Sequence, residues 1–159
     1  MSVFLDAATA ETYAKYRHGG FEKVITNLTS LCQKKKNANN LPHVTCAFIV
    51  MNSNKHEIPE YIKLMSEIGI DAIVFSELLI QEYFMKIKRV SRSGYEFVYK
   101  DEVVPQDELA EIMKMATKLG EKHGIKILGK SDNFIKISTS HGTHKTPLCC
   151  EPWKAAYFP

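Results

Sequence analysis

The strongest pattern in the chain begins at Val44. Eight residues, Val44-Thr45-Cys46-Ala47-Phe48-Ile49-Val50-Met51, run almost without a polar break. Polar residues fill positions 52–56, and then the spacing changes: Ile58, Tyr61, Ile62, Met65 and Ile68 recur at intervals of three and four, as on one face of a helix. Gly69 stops that helix, and a second apolar run, Asp71 to Phe75, begins at once. Two buried strands joined by one amphipathic helix make a βαβ unit, which implies parallel pairing and a right-handed crossover. In such sheets reactive chemistry gathers at the carboxyl edge, where strands end and turns begin. The pattern therefore points to Asn52–Glu57 and Ser76–Leu78.

The same alternation extends in both directions. Ser2-Val3-Phe4-Leu5 reads as a short buried strand ending at Asp6, one that needs a neighbour on each side. Thr9 caps a helix that carries Tyr13, Tyr16 and Arg17, and His18-Gly19-Gly20 breaks it. A second helix follows on Phe21, Val24, Ile25, Leu28, Leu31 and Cys32, and residues 37–42 turn the chain into the central unit. Beyond Phe75, Leu78 to Val90 predicts a short helix and then a strand. Arg92-Ser93-Gly94 predicts a turn, and Tyr95 to Tyr99 an edge strand. Pro105 opens a helix whose first turn holds Gln106, Asp107 and Glu108 and whose apolar face is Leu109, Ile112, Met113, Ala116 and Leu119. Gly124 ends it before a short strand, Ile125 to Leu128. The third βα-type unit thus carries an insertion between strand and helix. Residues 138–159 show little periodicity, and no internal repeat is present beyond the alternation.

Composition adds bounds. At 159 residues, 45% hydrophobic and 25% charged, the chain has the size and balance of one globular α/β domain or a piece of a larger one. A net charge of +3 is too small to argue for nucleic acid. The basic run Lys34-Lys35-Lys36 closes a helix, where cations suit the macrodipole, so a solvated helix end is preferred over a phosphate patch. No stretch approaches the ~20 apolar residues of a membrane span, and no signal-peptide pattern follows Met1. A cytoplasmic location is expected, with four cysteines that form no spaced framework. Cys32 and Cys46 lie in apolar patterns and read as packing.

Candidate chemistry is sparse. His141, His144, Cys149 and Cys150 offer four metal ligands within ten positions, but adjacent cysteines rarely hold one tetrahedral ion, and the spacing argues against a closed zinc site. Asp6 has two readings: an acceptor satisfied by backbone amides at a helix start, or a carboxylate at the active edge meeting a hydroxyl-rich ligand. Arg17 reads as an isolated charge, and Asn54 with Glu57 as an Asn-x-x-Glu cap on the next helix. A glycine-rich phosphate loop, a G-x-S-x-G elbow and H-E-x-x-H are all absent.

One resemblance changes the picture. Val3-Phe4-Leu5-Asp6-Ala7-Ala8-Thr9 with Glu11-Thr12-Tyr13 and Arg17, then Gly20 to Ile25, resembles the middle of the radical S-adenosylmethionine (SAM) enzymes that carry a SPASM extension. Met51, Asn54, Glu57-Ile58-Pro59-Glu60 and Ile68-Gly69-Ile70-Asp71 continue the likeness. Cys149-Cys150-Glu151-Pro152-Trp153, with Tyr157, is similar to the Cys-x-x-Pro-Trp that opens the SPASM segment. The resemblance implies a parallel-strand partial (β/α) barrel fragment with outer helices: later βα units over 1–137 and the start of a cysteine-containing segment over 138–159. It implies that Asp6 and Arg17 touch the ribose or methionyl part of SAM, that Asn54 lies near the same ligand, and that Cys149 ligates an auxiliary [4Fe–4S] cluster. The sequence departs from the family in lacking the C-x-x-x-C-x-x-C loop that holds the catalytic cluster, and Phe4 stands where many members have serine. This predicts the back half of such an enzyme. By itself it would be inactive and bind neither SAM nor cluster, while its parent would act on a peptide or a small biosynthetic substrate. A non-catalytic binding module on the same scaffold is the rival, and an ordinary barrel enzyme a third reading. The open first strand further predicts a homodimer or strand exchange.

Overall fold

The protein is described here by a computed structural model covering residues 1–17, 19–79 and 81–129. In chain order its elements are β1 (Ser2–Phe4), α1 (Ala10–Tyr16), α2 (Phe21–Lys36), β2 (Thr45–Val50), α3 (Ile58–Ile68), β3 (Ala72–Glu77), β4 (Lys88–Val90), β5 (Glu96–Val98), the single turn α4 (Tyr99–Glu102), α5 (Gln106–His123) and β6 (Lys126–Leu128). Short 3-10 turns precede α3 (Lys55–Glu57) and β4 (Phe84–Lys86). The tail residues His141, His144, Cys149 and Cys150, and the domain boundary at 137/138, lie outside the described residues.

The fold is α/β. Four parallel strands form one sheet in the order β1-β2-β3-β6, and β4 and β5 form a separate antiparallel pair. The insertion expected between the third strand and its helix is this hairpin. Helices follow the strands in the same sequence, with α1 beside α2, α2 beside α3 and α3 beside α5. Among the described residues no helix is long and apolar enough to cross a membrane.

The period of two along the strands sorts the core. Cys46, Phe48 and Val50 on β2 and Ile73 and Phe75 on β3 share a face and are buried. Tyr61 of α3 completes an aromatic triangle with two of them, its ring centroid 4.7 Å from Phe48 and 6.4 Å from Phe75. The opposite face carries Ile49, Val74 and Ser76, all only part-buried, and Phe4, which is 55% exposed. β1 was expected to be buried. Among the described residues it pairs with β2 alone and exposes Ser2 and Phe4, as an edge strand does.

Gly120 shows how closely α5 lies on the sheet. A Cβ there would stand 2.4 Å from Ile127 Cγ1 and 2.9 Å from the Ile125 carbonyl oxygen, so only glycine fits. The Ile125 amide donates to the Gly120 carbonyl at 2.9 Å and turns the chain from α5 into β6.

Candidate functional site

β1 ends because Asp6 takes a left-handed backbone, φ +57°, which Asp tolerates better than branched residues. Its side chain then continues the strand pairing. Leu5 N donates to Ala47 O at 3.2 Å, and Asp6 Oδ1 accepts from Ile49 N at 2.9 Å, the amide that a continued parallel ladder would give to a strand carbonyl. Asp6 Oδ2 accepts from Arg17 at 2.9 Å. Burial pushes the Asp6 carboxyl above its usual range, opposed by the Ile49 amide and the Arg17 charge.

Asn54 is fully buried between the ends of β1 and β2. Its Nδ2 donates to Asp6 O at 3.0 Å and Ile49 O at 2.9 Å, and its Oδ1 accepts from Met51 N at 2.8 Å. Asp6, Arg17 and Asn54 are therefore brought together at the carboxyl edge of the first two strands. Arg17 alone of the three keeps appreciable side-chain exposure, 27%.

The reciprocal Asn54–Glu57 cap does not form. Neither side chain makes a capping bond on the following helix. Backbone bonds within the 3-10 turn start that helix: the Glu57 amide donates to Asn54 O at 2.9 Å and the Ile58 amide to Lys55 O. The Asn54 amide is instead drawn to two buried strand-end carbonyls that would otherwise lack donors. Glu57 reaches backwards, accepting from Ala8 N at 2.7 Å and from the Thr9 hydroxyl at 2.6 Å. Thr9 caps α1 as the sequence predicts, its Oγ1 accepting from Thr12 N at 3.2 Å. Burial alone would raise the Glu57 carboxyl, but the Thr9 hydroxyl, the Ala8 amide, Thr12 and His56 together hold it below its usual range.

A second network adjoins the first through Ser53. Buried Glu102 accepts from Ser53 N at 3.0 Å, from the Ser53 hydroxyl at 2.5 Å and from the Tyr95 hydroxyl, while the Tyr16 hydroxyl bonds Ser53 Oγ. Burial pushes the Tyr16 phenol well up. Asn52 donates to Asp101 O at 2.8 Å and Val103 O at 3.0 Å, and Lys55 pairs with Glu108 at 2.5 Å. The loop after β2 is thereby locked to α1, the hairpin and the start of α5. Sequence reasoning placed Ser53 only within the carboxyl-edge stretch Asn52–Glu57 and Tyr95 only at the start of an edge strand, and it did not single out Glu102. Glu102 sits beside exposed Asp101 in a short polar stretch, and no local spacing distinguishes the two.

Cys32 and Cys46 are buried, as their apolar patterns predict. Burial pushes the Cys46 thiol up to about 12 and raises Cys32 as well, so both favour the thiol over the metal-binding thiolate. These two cysteines do not fit an iron–sulfur cluster. Among the described residues no three His, Cys, Asp or Glu side chains converge on a metal position. Compared with protein-family models, curated proteins and solved structures, the chain finds no match in any of the three.

Proposed function

We propose that the chain is the later part of the partial barrel of a radical SAM enzyme of the SPASM-containing kind, without catalysis of its own. The observation that carries this reading is the unreversed strand order β1-β2-β3-β6, with Asp6, Arg17 and Asn54 meeting at the carboxyl ends of its first two strands. A doubly wound sheet reverses its order at a switch point, whereas a barrel does not, and barrel ligands sit at that edge. In this reading Arg17 meets the ribose hydroxyls or methionyl carboxylate of SAM, and Asp6 and Asn54 position it by fixing the strand ends. Together with a [4Fe–4S] cluster, SAM supplies the radical chemistry, and the protein orients it. The described cysteines leave the catalytic cluster to other residues of the parent, and Cys149 is assigned to an auxiliary cluster. The parent's substrate is a peptide or a small biosynthetic molecule.

Anaerobic reconstitution with iron and sulfide tests the reading. A longer form carrying an in-frame three-cysteine loop upstream of Met1 is expected to take up a cluster and cleave SAM, while this chain alone does neither. Tight SAM binding to this chain in a calorimetric titration would refute its inertness.

The rival reading is a binding module that kept the scaffold without the chemistry. It is favoured by the engagement of both Asp6 oxygens and the whole Asn54 amide inside the protein. Absence of any cysteine loop in the upstream reading frame would decide for it.

Both readings expect self-association through the side of β1 that meets no other described strand, beside which Phe4 is exposed. Sedimentation should show a dimer that grows with concentration. A profile that stays monomeric at high concentration would refute this expectation.

A further inference from the structure

Between α1 and the hairpin turn lies an open groove of about 380 Å³, lined by Glu11, Ala14, Lys15, Ser93, Gly94 and Tyr95. Glu11 and Lys15 stand four residues apart with the acid first, the spacing and order in which a helix ordinarily forms an ion pair. Here they do not pair. The Lys15 ammonium lies instead over the Tyr95 ring, 5.9 Å from its centroid. Among the described residues Glu11 has neither a cation nor a hydrogen-bond donor.

The ring beneath Lys15 is held from two sides. Tyr95 is tied through its hydroxyl to buried Glu102, and its ring meets Tyr16 edge-on with centroids 6.1 Å apart. The ring over which Lys15 lies is therefore held in place. Gly94, at φ +82°, has nothing within 4 Å of the place a Cβ would occupy, so its part of the groove lining is open. Ser93 joins the hairpin turn to α1 by donating to the Ala14 carbonyl at 3.0 Å.

We infer that this groove binds the zwitterion of a free amino acid, its ammonium on Glu11, its carboxylate on Lys15 and an apolar side chain over Ala14 and Gly94. A cation alone or an anion alone satisfies one charge of the groove, and a neutral molecule neither. The site uses none of Asp6, Arg17 and Asn54 and stands apart from the SAM reading.

An amide NMR titration of the full chain with L-leucine tests it, beside N-acetyl-L-leucine, which lacks the ammonium, and L-leucinamide, which lacks the carboxylate. Leucine should shift the Ala14, Ser93 and Gly94 amides saturably in the millimolar range, and each capped form should bind several-fold more weakly. Glu11→Gln should bring leucine down to the affinity of N-acetyl-leucine and leave the latter unchanged. Capped forms that bind as well as leucine, or an absence of saturable shifts at those amides, would overturn the assignment. The comparison of ligands needs no variant, so a misfolded Glu11→Gln leaves it decisive.

Discussion

Replacing Asn54 by alanine should remove about 3 kcal/mol or more of folding stability, a large share of what a domain of this size possesses. The side chain has no exposed surface and serves three backbone groups: Met51 N, Asp6 O and Ile49 O. Alanine leaves all three without their partner, and each buried orphan costs about 1–3 kcal/mol. The cavity is small and polar, so a water that restored two of the bonds would bring the loss toward the lower end. Asn54→Asp separates hydrogen bonding from shape. Its Oδ1 still accepts from Met51, but an oxygen now faces the two carbonyls that Nδ2 had satisfied, and a new charge lies beside Asp6. Protonation would return one donor, so the introduced carboxyl should have a raised pKa in the folded state. A raised folded pKa makes stability fall as pH rises through it. Urea unfolding at about pH 5 and pH 7 should therefore show Asn54→Asp losing more stability at the higher pH, with Asn54→Ala nearly flat by comparison. An alanine variant within about 1 kcal/mol of the parent would mean that the strand ends do not depend on this amide.

Much of this arrangement could be read from the residues, and the limit is physical. Periodicity located the central unit because burial on a parallel sheet writes itself locally: Cys46, Phe48 and Val50 must alternate with the half-covered face, and Ile58, Tyr61, Ile62 and Met65 must share a helix face. Gly69, with φ +88°, and Gly124, with φ +66°, end their helices in the left-handed conformation that favours glycine. The hairpin could be anticipated from Arg92-Ser93-Gly94 because turn chemistry is also local. Asp6 was legible as a strand-end acid, and its reading as a structural acceptor is right in part. It accepts a backbone amide as a structural acceptor would, but from Ile49 across the sheet and not from a helix start. The failures share one cause. Glu57 and Asn54 fit a local capping pattern, yet Glu57 bonds Ala8 and Asn54, besides nearby Met51 and Ile49, bonds Asp6, each about fifty positions away in the chain. Glu102 acquires its role only when Ser53, Tyr95 and Tyr16 are folded around it. Contacts between distant segments leave no period for a sequence pattern to show.

At the opposite edge of the sheet the controlling charge is Asp71, and its loss should cost about 3–5 kcal/mol. Asp71 Oδ2 accepts from Val44 N at 2.7 Å and from the Lys35 ammonium, with His43 Nδ1 at 3.4 Å. It thus joins the last turn of α2 to the starts of β2 and β3. Lys35 is 5% exposed, so Asp71→Ala leaves a buried ammonium without its anion and an amide without its acceptor. Asp71→Asn keeps an acceptor for Val44 and should lose less. Lys35→Met combined with Asp71→Asn should recover part of the alanine loss, because the methionine stem fills the space without a charge to desolvate. The pH dependence follows from the shift. Burial alone would raise the Asp71 carboxyl, but Lys35, the Val44 amide and His43 outweigh it and hold the pKa below its usual range. A depressed folded pKa contributes stability above the unfolded value, about 3.9, and that contribution disappears as pH falls through the folded value. The parent should therefore lose stability below about pH 4, and Asp71→Asn should show a shallower acid limb. Equal acid limbs would assign the acid sensitivity to Glu57, whose pKa is also depressed. Because Asp71 lies at the amino edge, its variants should lower stability and leave any ligand of the carboxyl edge bound as before. Loss of stability and loss of binding in the same variant would break that division of the sheet.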